Sequence, residues 1–255
     1  MTIVEHNEHL LARIDAEAGK LLAERFAEDG IRVVAGSKVS RVERVQTGLR
    51  VSLEDSDALE AERLLVATGR KPDVAGIGLE EIGVEITLSG VTVDDRLRAA
   101  DRVWAIGDAA GVGLLTHLGK YQACVAAANI AGRDVRADYR AIPSAVFTDP
   151  QVASVGRTDG DDVVTGRYEI TGGRLSTYER PKRPGLVKVA ADRDERVLVG
   201  AVAVGPEAGE WLGQLTLAVR ARVPIDVLLD TIQPYPTFSE AIFGALLELA
   251  SALDG

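Results

Sequence analysis

The sequence predicts a mixed α/β fold, and three patterns carry that prediction. The chain opens as strand, helix, strand over residues 1–34. Two apolar runs, at 64–67 and 102–106, end in glycine-containing turns. After Pro143 short strands come first and helices last, the order of an α+β domain whose helices cover one sheet face.

Taken in order, residues 1–5 form the first strand. Residues 15–28 form a helix, because Ala18, Leu21, Leu22 and Phe26 recur at helical spacing. Gly30 supplies the left-handed residue that ends it. Residues 31–34 and 39–45 are further strands. Leu49, Val51 and Leu53 alternate with Arg50, Ser52 and Glu54, the period of a half-exposed antiparallel strand. Leu64, Leu65, Val66 and Ala67 are apolar without interruption, the pattern of a strand buried on both faces. Strands follow at 91–93 and 102–106, then a helix over 116–131. Leu118, Tyr121, Val125 and Ala128 share one of its faces, and Cys124, Ala127 and Ala131 another. Small residues on both predict a helix buried among close neighbours, with Cys124 as a small core residue. In the last third, 146–147 and 152–155 are strands, and 186–190 pairs with 197–204 over the polar turn at 192–195. Helices near 209–222 and 237–252 close the chain. The expected boundaries are 1–70, 71–140 and 141–255.

Composition narrows the function classes. A net charge of -10 argues against nucleic acid and anionic membranes, which both demand basic surface. One cysteine, Cys124, makes neither an internal disulfide nor a thiolate metal site. No apolar run approaches the ~20 residues of a membrane span, and no signal-peptide pattern opens the chain. The expectation is an acidic cytoplasmic protein that binds no nucleic acid and no membrane.

Several residues carry candidate chemistry. Glu5 ends the first strand. An acid there either accepts hydrogen bonds from adenosine ribose hydroxyls, favouring NAD over NADP, or is a solvated strand-end side chain. Thr68, Gly69 and Arg70 leave the first apolar run, and the glycine admits close approach of a ligand to the backbone. Gly107 and Asp108 follow the strand ending at Ile106, where a carboxylate can accept from a cofactor hydroxyl. The next helix begins near Leu115, Thr116 and His117, and its first amides carry about half a positive charge. A G-x-G-x-x-G loop is absent from the sequence. Tyr235-Pro236-Thr237-Phe238-Ser239-Glu240 opens the last helix. Thr237 as N-cap would put Glu240 at the third helical position and complete a capping box.

Together, Ala67-Thr68-Gly69-Arg70-Lys71-Pro72, Trp104-Ala105-Ile106-Gly107-Asp108 and the last motif resemble the pyridine nucleotide-disulfide oxidoreductases, over the C-terminal half of such an enzyme. The resemblance implies a partial Rossmann-like NAD domain, a partial FAD domain and an α+β dimerisation domain. It implies FAD and NAD as cofactors, NADP being disfavoured, a homodimer, and hydride passing from NAD(P)H through FAD to a small-molecule acceptor. Asp108 matches the family's ribitol-binding aspartate, and the helix end at 115–117 the one aimed at the flavin. Both glycine-rich loops and any redox cysteine pair would lie outside this chain, so the chain alone is expected to hold flavin weakly or not at all. A truncated, non-catalytic dimerising protein of the same scaffold is the competing expectation. The family's disulfide reductases carry H-P-T-x-x-E where this chain has Tyr235 to Glu240. Tyr235 and Glu240 are therefore the candidate catalytic pair. A phenol near pKa ~10 is a poor base at neutral pH, so the expected acceptor is not a disulfide.

Overall fold

The computed structural model describes residues 1–46, 48–177 and 184–255. It contains two compact units: residues 1–64 with 140–255, and residues 65–139.

The first unit begins with a β-α-β element. Strand β1 (Thr2–Val4) pairs in parallel with β2 (Arg32–Val34), and helix α1 (Ala16–Glu28) lies between them in sequence. Asp15 starts α1 because its carboxylate accepts from the Glu17 amide at 3.0 Å, an N-cap bond. Gly30, at φ 73°, ends the turn beyond it. Strands β3 (Val39–Val45), β4 (Gly48–Leu53) and β5 (Leu59–Ala61) form an antiparallel meander. The alternation in β4 is real: Val51 and Leu53 are buried, and Arg50 is exposed.

Residues 64–67 do not form the doubly buried strand that their composition predicts. They lie outside any described strand, and Leu65 is 89% and Val66 68% exposed. A strand buried on both faces needs hydrogen-bonded neighbours and a covering layer, and no described strand lies beside this run.

The second unit holds short hairpins, β6 (Ile86–Thr87) with β7 (Gly90–Val91) and β8 (Arg98–Ala100) with β9 (Val103–Trp104), followed by helix α2 (Thr116–Ile130). Leu118, Gln122, Val125, Ala126 and Ala128 are the buried residues of α2. The opposite face is not a packing face: Cys124 and Ala127 are exposed, so Cys124 is not a core residue.

The rest of the first unit is a five-stranded antiparallel sheet of order β10-β11-β14-β13-β12. Its strands are β10 (Pro143–Val146), β11 (Gln151–Gly156), β12 (Val163–Ile170), β13 (Gly185–Asp192) and β14 (Leu198–Gly205). Helices α3 (Ala208–Ala221), α4 (Ile225–Leu229) and α5 (Phe238–Asp254) cover one face. Leu212, Leu215, Ile242 and Leu246 pack there on Ala201, Ala203, Val187 and Val189. The other face is not bare, as a sheet covered on one side would be. Ala18 and Leu22 of α1, with Leu10, pack on Val152, Leu186, Val202 and Val204. This double covering explains why β13 and β14 are apolar at nearly every position. A polar cluster fixes α1 in place. The Asp15 carboxylate accepts from the Lys188 ammonium at 2.8 Å and the Thr158 hydroxyl at 3.0 Å.

No described helix is long and apolar enough to cross a membrane.

Candidate functional site

Within the second unit, the chain brings together most of the residues expected to face a cofactor. Strand β9 runs through Ile106 into a single 3-10 turn, Gly107–Ala110. Gly107 takes φ 63°, and its Cα faces that of Gly119 on α2 so closely that a side chain on Gly119 would come to 3.2 Å. Two glycines thus let the turn sit against the helix backbone. The Asp108 side chain is 52% exposed at this turn, 4.0 Å from the Arg70 guanidinium. Arg70 also donates to the Leu114 carbonyl at 3.0 Å. One arginine therefore bridges the aspartate's turn and the entry to α2. Both ions are largely solvated, so their attraction contributes little stability, and the carboxylate remains available to accept from a ligand.

Helix α2 begins at Thr116. Leu115, the residue before it, has no side-chain oxygen to cap the first amides, so that end keeps its positive dipole. Thr116 and His117 are exposed and Leu115 is half-buried. Thr68 and Gly69 are exposed as well, and Gly69 takes φ 113°.

One residue that positions this site is absent from the sequence expectations. Gln122 is fully buried, its Oε1 accepts from the Gly107 amide at 2.6 Å, and its Nε2 donates to the Tyr139 hydroxyl at 2.9 Å. It holds the Gly107-Asp108 turn against α2. A signal for it exists: Leu118, Gln122 and Val125 follow an i, i+4, i+7 spacing, so the glutamine lies on the apolar face.

The remaining candidates lie in the first unit. Glu5 is partly buried just beyond β1. Burial pushes its carboxyl up, but the backbone and side-chain N–H groups of Asn7, with His6, hold it below the ordinary value. Tyr235 is 76% exposed, and its hydroxyl has no partner among the described residues. Thr237 stands at the N-cap of α5, but the expected capping box is not formed. Its hydroxyl turns back and donates to the Pro234 carbonyl at 2.6 Å, and no side-chain bond caps the helix. The Glu240 carboxylate instead lies beside Gly173, 3.2 Å from where a Cβ would stand. Among the described residues no cluster of histidine, cysteine, aspartate and glutamate could hold a metal ion.

The exposed Asp108 carboxylate, the adjacent guanidinium and the uncapped helix end suit a ligand with hydroxyl donors beside a group that gains negative charge. These are the demands of a flavin dinucleotide's ribitol and ring, so the residues present fit that cofactor.

Comparison with known proteins shows the family. The family model for pyridine nucleotide-disulphide oxidoreductases matches residues 1–131, and that of the family's dimerisation domain matches 142–246. A dihydrolipoyl dehydrogenase of Thermus scotoductus is 35% identical over 99% of this chain, and dihydrolipoyl dehydrogenase 2 of Haloarcula marismortui is 34% identical over 96%. The chain covers 56% and 54% of those proteins, so it spans about half their length. Among solved structures, LpdA of Mycobacterium tuberculosis matches with a TM-score of 0.82 at 30% identity, over 97% of this chain and 56% of that one. The Cu(II) complex of the flavoprotein disulfide reductase RclA of Escherichia coli matches at 0.80 and 24% identity, over 98% and 58%, a likeness of fold alone. The chain belongs to the pyridine nucleotide-disulphide oxidoreductase family.

Proposed function

We propose that this chain serves an FAD-dependent NAD(P)H oxidoreductase in which hydride passes from NAD(P)H through FAD to a small-molecule acceptor other than a disulfide. In this reading residues 1–70 belong to the NAD(P) domain, 71–140 to the FAD domain and 141–255 to the dimerisation domain of a cytoplasmic homodimer. The observation that carries it is the grouping of Asp108, Arg70 and the start of α2. Asp108 accepts a ribitol hydroxyl, Gly69 admits close approach to the backbone, and the residues at 115–117 present the helix end to the flavin ring. Bound flavin accepts a hydride and releases electrons singly or in pairs. Glu5 accepts from the adenosine ribose of the nicotinamide cofactor and disfavours a 2′-phosphate.

The acceptor reading rests on position 235. A phenol stays protonated at neutral pH, so Tyr235 donates a hydrogen bond to an acceptor or orients it and does not shuttle a proton as imidazole does. Glu240, five residues on, lies beside Gly173.

The test is FAD titration of the purified chain by fluorescence, followed by steady-state NADH oxidation by the complete protein against lipoamide, glutathione disulfide, quinones and metal ions. Weak saturable FAD binding, lowered about tenfold by Asp108→Asn, is expected, with turnover only of non-disulfide acceptors. Turnover of either disulfide, abolished by alkylation, refutes the acceptor assignment. A complete protein that dimerises but neither binds flavin nor oxidises NADH identifies a non-catalytic scaffold.

A further inference from the structure

We propose that Asn7 is a positioning residue that acts through Glu5 to favour an adenosine ribose with both hydroxyls free over one carrying a 2′-phosphate. The inference rests on the nucleotide reading of Glu5 given above, and deepens it. Oε1 of Glu5 takes three contacts: the Asn7 backbone N–H at 2.9 Å, the Asn7 side-chain Nδ2 at 2.6 Å and His6 Nδ1 at 3.0 Å. A carboxylate oxygen offers about two lone-pair directions, so Oε1 is saturated. Oε2, with no partner among the described residues, is the acceptor left over.

The segment that carries this carboxylate is fixed to the end of β2 by backbone bonds. Glu5 donates to the Val34 carbonyl at 2.9 Å, Ser37 donates to the Glu5 carbonyl at 3.1 Å, and Gly36 donates to the Asn7 carbonyl at 2.7 Å. Glu5 therefore presents one oxygen, ionised and oriented, at the C-terminal end of the parallel pair, where such folds bind ligands. Asn7 thus fixes the carboxylate through Oε1 and leaves the lone pairs of Oε2 to accept from the hydroxyls of a vicinal diol.

A second carboxylate sharpens the choice. Glu8 lies over Gly36, its Oε2 3.5 Å from where a Cβ would stand. A 2′-phosphate removes one donor and brings about -1.5 to -2 charges, which Glu5 and Glu8 repel together. His6, its side chain two-thirds exposed, contacts the saturated oxygen and, among the described residues, not Oε2.

The experiment is calorimetric binding of ADP-ribose and 2′-phospho-ADP-ribose to the full chain, with carbon-13 NMR titration of the Glu5 carboxyl. The wild-type chain is expected to bind ADP-ribose about tenfold more tightly. Asn7→Ala should bring the two affinities within about twofold by weakening ADP-ribose alone. It should also raise the Glu5 titration midpoint and leave thermal unfolding unchanged. Glu8→Gln should strengthen only the 2′-phosphorylated probe. Equal weakening of both probes by Asn7→Ala would mark a merely structural role and overturn the inference, as would an unchanged ratio after the Glu5 midpoint has moved. A wild-type chain that binds neither probe overturns the nucleotide reading of Glu5 and this inference together, whereas failure to bind FAD leaves both standing.

Discussion

Replacing Gln122 with leucine should loosen the turn that carries Asp108, and the structure sets the size of the effect. The side chain is fully buried and satisfies both the Gly107 amide and the Tyr139 hydroxyl. Leucine nearly conserves volume but strands the Gly107 N–H, and a buried donor left unpaired costs about 1–3 kcal/mol. The half-buried Tyr139 hydroxyl can turn to water and adds less. A loss of about 2 kcal/mol is expected for Gln122→Leu. Gln122→Ala should lose ~1–2 kcal/mol more, from the cavity it leaves. The assay exploits the placement of the two tryptophans, Trp104 in the unit of residues 65–139 and Trp211 in the other. In a Trp211→Phe background, Trp104 emission during guanidinium unfolding reports the unit that contains Gln122. FAD affinity should fall in parallel, about tenfold, because Asp108 is held through this turn. A Gln122→Leu chain within ~0.5 kcal/mol of its parent would refute the reasoning. So would a loss seen equally by a Trp211 reporter.

Lys188→Met removes the ammonium from Asp15, whose side chain is 8% exposed, leaving that carboxylate with only the Thr158 hydroxyl and the Glu17 amide. A loss of about 2–3 kcal/mol at pH 7 is expected by thermal or chemical unfolding, less than for a carboxylate with no other donor. Burial pushes the Asp15 carboxyl up, but Lys188 and the other donors hold it below its ordinary value. Its contribution is therefore full above about pH 4 and is lost as pH falls through the lower folded value, so mutant and wild-type curves should converge there. Gly166→Ala should cost ~3 kcal/mol, because a Cβ would lie 2.3 Å from both the Ala245 carbonyl and the Leu249 amide and must push α5 off β12; an unfolding midpoint within 1 °C or so of wild type would contradict that. Tyr235→Phe should leave stability within ~0.5 kcal/mol and flavin reduction by NADH intact, while turnover of the acceptor, followed by NADH absorbance, falls.

What the sequence made legible was governed by local period. Helices α1, α3 and α5 show in the spacing of their apolar residues, and the β13–β14 hairpin in its two apolar runs around a polar turn. Strand β12 did not show, because Gly166 and the polar run Arg167 to Glu169 break its pattern. The glycine is there for a tertiary reason, the backbone of α5 lying against it. Residues 64–67 fail in the opposite sense. Their composition states a preference for burial, but whether a strand forms depends on neighbours that no local pattern specifies.

The candidate site divides along the same line. Asp108 and its glycine turn were legible because strand-end position is a local property, whereas Gln122 acts through a contact 15 residues back in sequence. Thr237 shows the limit most directly. Its three-residue spacing to Glu240 satisfies the capping-box pattern, yet the cap requires the Thr237 hydroxyl oxygen to accept from the Glu240 amide, and that amide donates to the Thr237 carbonyl at 3.3 Å instead. The hydroxyl is turned to donate to the Pro234 carbonyl at 2.6 Å, and the Glu240 carboxylate lies beside Gly173. A motif fixes which groups are near one another in sequence; the orientation each side chain takes among the groups the fold brings close decides which of them pair, and here it sets the Glu240 carboxylate beside Gly173 and not on the helix terminus where its spacing first places it.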